Sequence, residues 1–137
     1  MNGTYYEAFR AFDNNIHPSV GSSWGNNRSW YGGNNEAYIG YNFEEDVSVY
    51  KFVIINSGHS SGSDQQYGVK DISLQYYNDE GNWINIENYQ NTKDLLATTN
   101  FYNKNIDIKA KKWRIYISST WDVDARKIIG ELKFYCK

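Results

Sequence analysis

The chain is poor in the residues that staple or kink a polypeptide: one Cys and one Pro stand among 137 residues. The lone thiol, Cys136, closes no intrachain disulfide, so cysteine usage says nothing about redox compartment. No apolar run approaches the ~20 residues of a membrane-spanning helix. The N-terminus also lacks the charged-then-apolar pattern of a signal peptide. Basic clusters are missing too, with no block longer than Lys111-Lys112, and 14 basic residues against 16 acidic ones leave a net charge of −2. That argues against nucleic-acid binding, which leans on a concentrated basic footprint. Catalytic signatures are equally scarce. There is no H-E-x-x-H and no G-x-S-x-G, and Cys136 sits where a nucleophile is hard to hold in place. Glu44-Glu45-Asp46 resembles an acid pair but reads as a solvated turn between strands. The expectation is a protein that is not an enzyme.

What the chain has is aromatic side chains, 18% of the residues, with 13 Tyr and 5 Trp. Such a balance favours pleated strands over helices. Alternating or β-rich runs occur at Glu36 to Phe43, Val47 to Asn56, Val69 to Tyr77, Trp83 to Glu87, Phe101 to Ile108, Trp113 to Ser118 and Lys127 to Tyr135. Seven or eight short antiparallel strands within residues 1–137 predict a single all-β sandwich domain. Trp113, Ile115 and Ile117 share one strand face, and Ile72, Leu74 and Tyr76 share another, so these faces are the expected core. Trp24 and Trp83 are also expected inside. Asn78 to Asn82 supplies residues that tolerate positive φ and predicts a hairpin. Only Tyr5 to Phe12 has helical spacing, enough for a turn or two.

Three long polar stretches interrupt this pattern: Gly25 to Asn35, Ser57 to Gly68, and Ser119 to Arg126. Long loops in a compact domain are often functional. These display side chains that connection alone does not require: Arg28, Trp30 and Tyr31; His59, Asp64 and Tyr67; Trp121, Asp122, Asp124 and Arg126. A sugar ring offers an apolar face and a rim of hydroxyls, which aromatic platforms flanked by planar donors and acceptors suit. The candidate ligand-binding residues are therefore Arg28, Trp30, Tyr31, His59, Tyr67, Trp121 and Arg126.

Five motifs, in order, resemble a known family. Ala11-Phe12-Asp13-Asn14-Asn15 with Ser22-Ser23-Trp24 resembles the "A-F-D-G-N … T-x-W" opening of discoidin domains, also called coagulation factor 5/8 type C domains. Tyr38 to Phe43 is similar to "W-I-x-V-D-L", and Lys70 to Trp83 to "K-D-F-x-I-x-Y-S-x-D-G-x-W". Lys112 to Ile117 resembles "R-Y-V-R-I", and Glu131 to Tyr135 the closing "E-L-x-V-Y". The resemblance implies a discoidin-like jelly-roll β-sandwich, galactose-binding domain-like, of about eight antiparallel strands.

Family 32 carbohydrate-binding modules share this signature. The resemblance therefore implies a non-catalytic, lectin-like glycan-binding module, galactose- or N-acetylhexosamine-directed by analogy, whose site lies in loops at one end of the sandwich. It also implies a structural Ca2+ held by Asp13, Asn15, Ser22 and Glu131 with the carbonyls of Arg10 and Gly130. Oxygen donors of this kind suit a hard cation. Asp13 and Asn15 acting only as turn caps, and Asp122 with Asp124 as a rival site, are the alternatives. The family's setting is extracellular or cell-surface, where animal members often pair an early with a late cysteine; Cys136 has no early partner here. Relatives that read lipid headgroups need basic residues beside apolar loop tips, and the Ser57 to Gly68 loop has neither Lys nor Arg. A protein-interaction or cell-adhesion module of the same fold is the competing expectation.

Overall fold

Strand formation follows the alternation of apolar and polar residues. The computed structural model describes residues 30–31, 37–56, 68–121 and 128–137. Among them every regular element is a strand: β1 (Trp30–Tyr31), β2 (Ala37–Val47), β3 (Val49–Ile55), β4 (Asp71–Tyr77), β5 (Trp83–Gln90), β6 (Thr98–Tyr102), β7 (Ala110–Ile117), β8 (Ile128–Ile129) and β9 (Glu131–Cys136). They form a four-stranded sheet in the order β2-β7-β4-β5, a three-stranded sheet in the order β6-β3-β9, and a short β1-β8 ladder. All the pairings are antiparallel. The early candidate helical turn, Tyr5 to Phe12, and Trp24 lie outside the described residues.

The two larger sheets bury one core between them. Trp113, Ile115 and Ile117 from β7, with Ile72 and Leu74 from β4, face Phe52, Ile54 and Leu132 of the other sheet, and none exceeds 1% exposure. The Trp113 indole donates to the carbonyls of Val47 (3.2 Å) and Ala110 (3.0 Å), so its polar atom is satisfied where it is buried. Phe52 stacks on Phe101 with 4.8 Å between centroids and receives the edge of Tyr89 at 5.2 Å. The Tyr89 hydroxyl lies 3.1 Å from Glu87 Oε2 and 3.2 Å from the Tyr102 carbonyl. Burial, and then the neighbouring Glu87 carboxylate, push this phenol above its ordinary value.

Three expectations shift. Glu44, Glu45 and Asp46 are not a turn but exposed residues inside β2, where the register with β7 slips between Asn42 and Val47. Strand β6 ends at Tyr102 because Asn103 turns the chain. Its Oδ1 accepts from Asn105 N (2.9 Å), while its Nδ2 donates to the carbonyls of Val49 (2.9 Å) and Asn105 (3.2 Å). Trp83 is absent from the core and pairs with Tyr77 across the β4–β5 ladder, its ring against Tyr77 at 5.1 Å. The predicted hairpin is present: Gly81 adopts φ 84° and donates to the Asn78 carbonyl at 3.1 Å.

The connections differ sharply between the two ends of the sandwich. At one end they are tight: Ser48 alone separates β2 from β3, the Asn78 to Asn82 hairpin joins β4 to β5, and Lys137 exchanges main-chain hydrogen bonds with Ser48 at 3.0 and 3.1 Å. The exposed Cys136 lies at this turn end, opposite Val49. The other end carries the long stretches.

Candidate functional site

The strand ends show why the three polar stretches belong together. Residues 57–67 leave from Asn56 at the end of β3 and return at Gly68, next to β4. Residues 122–127 leave from Trp121, just past β7, and return at β8. Val69 bridges Thr120, the Trp121 amide donates to the Gly68 carbonyl (3.2 Å), and the Lys70 amide donates to the Ser119 carbonyl (2.9 Å). The roots of these two loops are thus laced by main-chain bonds. The first stretch joins them through β1, where Trp30 is in register with Ile129 and Tyr31 with Ile128.

Beneath these roots two buried amides tie the sheets to each other. Asn56 Nδ2 donates to the carbonyls of Thr92 (2.9 Å) and Asp94 (2.8 Å), and Asn91 Nδ2 donates to Asn56 Oδ1 (2.9 Å) and the Val69 carbonyl (3.3 Å). Among the described residues, Asn91 Oδ1 is buried with no hydrogen-bond partner, and so is the indole Nε1 of Trp121. Unmet buried groups of this kind cost about 1–3 kcal/mol each. The Trp121 ring is half-buried, with the Lys70 ammonium 5.0 Å from its centroid. Beside it, Asp71 accepts from Ser119 Oγ at 2.5 Å and holds the start of β4 to the end of β7.

Of the residues expected to bind ligand, Trp121 stands at this loop end, and Trp30 and Tyr31 form β1 beside β8. Arg28, His59, Tyr67 and Arg126 lie outside the described residues, as do Asp64, Asp122 and Asp124. Of the residues expected to hold a metal, Gly130 and Glu131 are described. Glu131 is 2% exposed and opens β9 opposite Ile55, at the same end of the sandwich. Arg10, Asp13, Asn15 and Ser22 lie outside the described residues. No three His, Cys, Asp or Glu side chains converge among the described residues. Sequence reasoning passed over Asn56, Asn91 and Lys70. Asn56 and Asn91 each follow a strand, and a buried Asn differs from a loop Asn only in what the fold packs around it.

No protein-family model matches the sequence, and no curated protein is significantly similar to it. Solved structures are similar in shape. The family 32 carbohydrate-binding module of Streptococcus pneumoniae EndoD superposes with TM-score 0.61 at 20% identity, over 80% of this chain and 75% of that one. An F5/8 type C domain from Bacteroides fragilis gives TM-score 0.63 at 13% identity, over 98% and 83%. This is the discoidin-type jelly roll. The lectin domain of lectinolysin, solved with Lewis B antigen, has the same fold at TM-score 0.65 and 13% identity, over 97% of this chain and 86% of its own. Discoidin-like architecture thus accounts for the sandwich.

Proposed function

We propose that this discoidin-like chain is a non-catalytic glycan-binding module, with its site among the loops rooted at Asn56–Gly68, Trp121–Ile128 and β1. One observation carries the reading: three polar stretches bearing aromatic and planar hydrogen-bonding residues are rooted together at one end of the sandwich, where main-chain hydrogen bonds lace two of their roots. Aromatic surface supplies apolar contact, while Arg28, His59 and Arg126 supply donors to hydroxyls. The solved neighbours include a carbohydrate-binding module and a lectin domain, which supports a glycan ligand. Galactose- or N-acetylhexosamine-terminated glycans are the expected class, and a secreted or cell-surface setting goes with it.

A glycan array of the intact chain tests this, followed by titration of the best hit against Trp121→Ala and Trp30→Ala. Wild type should bind a defined glycan set, and each variant should lose about tenfold, or about 1.4 kcal/mol. An array without signal, with one protein enriched in a pull-down, would replace this reading with the protein-interaction one.

A structural calcium belongs to the same proposal. The buried Glu131 carboxylate and the Gly130 carbonyl fit a hard cation at the corner between β8 and β9. Asp13, Asn15, Ser22 and the Arg10 carbonyl would complete the shell, and the ion would staple the N-terminal segment to the last strand. Chelation by EDTA should then lower the melting temperature by about 5 °C or more, because an ion bound only to the native state stabilises it. An unchanged Tm discards the ion.

A further inference from the structure

The outer face of the four-stranded sheet has a chemistry that packing does not demand. Strand alternation sets Tyr38, Gly40 and Asn42 of β2 beside Tyr116, Arg114 and Lys112 of β7, and places Ser73, Gln75 and Tyr77 of β4 on the same face. From β5, Trp83, Asn85 and Asn88 complete it. The Arg114 guanidinium lies 4.5 Å from the Tyr38 ring centroid and 4.0 Å from that of Trp83, and Nε donates to Gln75 Oε1 at 2.7 Å. Tyr77 follows Trp83 in the stack, with the Lys112 ammonium 4.9 Å from its centroid. With strands ~4.8 Å apart, this cation–aromatic row crosses about 14 Å of sheet from β2 to β5.

Gly40 makes the arrangement possible. A Cβ there would lie 2.2 Å from the Trp113 carbonyl oxygen and 2.7 Å from Arg114 Cβ, so only glycine lets β2 lie so close beneath the stack. Tyr38 remains 61% exposed. Arg114 and Lys112 pair with no carboxylate among the described residues. Arg114 has its one hydrogen bond through Nε, which leaves the terminal guanidinium nitrogens as donors held in place by stacking. Burial lowers its proton affinity from the ordinary value, yet a guanidinium stays charged at any physiological pH. At the edge of this face nearest the loops lies a recess of about 510 Å³ lined by the hydroxyl, amide and carboxylate groups of Asp71, Ser73, Asn88, Gln90 and Ser118 together with Ile72 and Tyr89.

We propose that this face is a second ligand-binding surface, distinct from the loop end, which takes an extended acidic glycan. The carboxylate or sulfate pairs with Arg114 and Lys112, a sugar ring lies on Tyr38, and hydroxyls meet the polar recess. Charge complementarity favours this occupant: the centre of the face holds two cations in a chain of net charge −2. A guanidinium already positioned by its neighbours gains more from an anion than a mobile one does. An open sheet face spanning four strands suits a length of chain, whereas loops at an end suit a terminal residue.

Isothermal titration of the intact chain with three hexasaccharides tests it: hyaluronan (carboxylate), heparin-derived (sulfate) and chitin-derived (uncharged). At least one acidic hexasaccharide should bind, with affinity that falls as salt rises. Arg114→Gln should weaken it about tenfold or more and Tyr38→Ala about three- to tenfold, the size of a lost charge-assisted bond and a lost stacking contact. Trp121→Ala should leave acidic binding unchanged, which separates this surface from the proposed loop-end site. Binding of hyaluronan alone assigns the anion as a uronate, and of heparin alone as a sulfate. If Arg114→Gln does not fold, the exposed Tyr38→Ala carries the test. The proposal is overturned if neither acidic hexasaccharide binds, if both variants bind as well as wild type, or if Trp121→Ala abolishes the signal. Capture of a protein partner that Arg114→Gln prevents, with no hexasaccharide binding, assigns the face to a protein instead.

Discussion

The two faces of the β2-β7-β4-β5 sheet are built by alternate residues of the same strands and obey different rules. Facing inward, Trp113, Ile115 and Ile117 are fully buried among aliphatic and aromatic neighbours, and shape decides what fits. Facing outward, Lys112, Arg114 and Tyr116 meet tyrosines, amides and water, and charge and planarity decide. Strand β7 thus supports the fold with one set of residues and offers chemistry with the next. A sheet face released from packing can hold a ligand surface without weakening the domain.

Substitutions that cross this division measure how separate the faces are. The largest effect belongs to Trp113→Ala, which empties a fully buried site and removes the indole donor from the Val47 and Ala110 carbonyls. A loss of about 3–5 kcal/mol in denaturant unfolding is expected, and a loss under about 1 kcal/mol would mean that the interior repacks freely. Gly40→Ala should cost less, about 1–3 kcal/mol, because its new Cβ meets main chain that cannot yield cheaply. It should also displace Arg114 and weaken binding of the acidic hexasaccharide, thereby joining the two faces at one point. Full stability in that variant would show that the close approach of β2 and β7 is relaxed at little cost. The smallest stability change belongs to Tyr38→Ala, within about 0.5 kcal/mol as for other exposed positions.

The inward face was legible in advance because burial leaves a period of two in the sequence. Ile72 and Leu74, with Trp113, Ile115 and Ile117, follow it without exception. The outward face was not. Trp83 looks like a core residue by type, and only its register opposite Tyr77 shows that it stacks on a guanidinium instead. Arg114 within Lys112 to Ile117 served as part of a strand motif, and nothing local signals that Tyr38 and Trp83, from strands on either side, converge on it. The strand end at Asn103 was missed for a similar reason, since its side chain caps a turn with contacts 54 residues away in sequence. At the loop end, polar composition marked the three stretches, while the buried Asn56–Asn91 pair beneath them depends on long-range packing.

The position of Cys136 has a practical consequence. It is the sole cysteine of the chain and is exposed at the turn end, beside the pairing of Lys137 with Ser48. A maleimide-bearing surface or fluorophore would therefore attach at one defined point, on the far side of the sandwich from the roots of the long loops. Molecules immobilised in this way would stand in a common orientation with those loops directed into solution, ready for use as an oriented capture layer without any engineered tag.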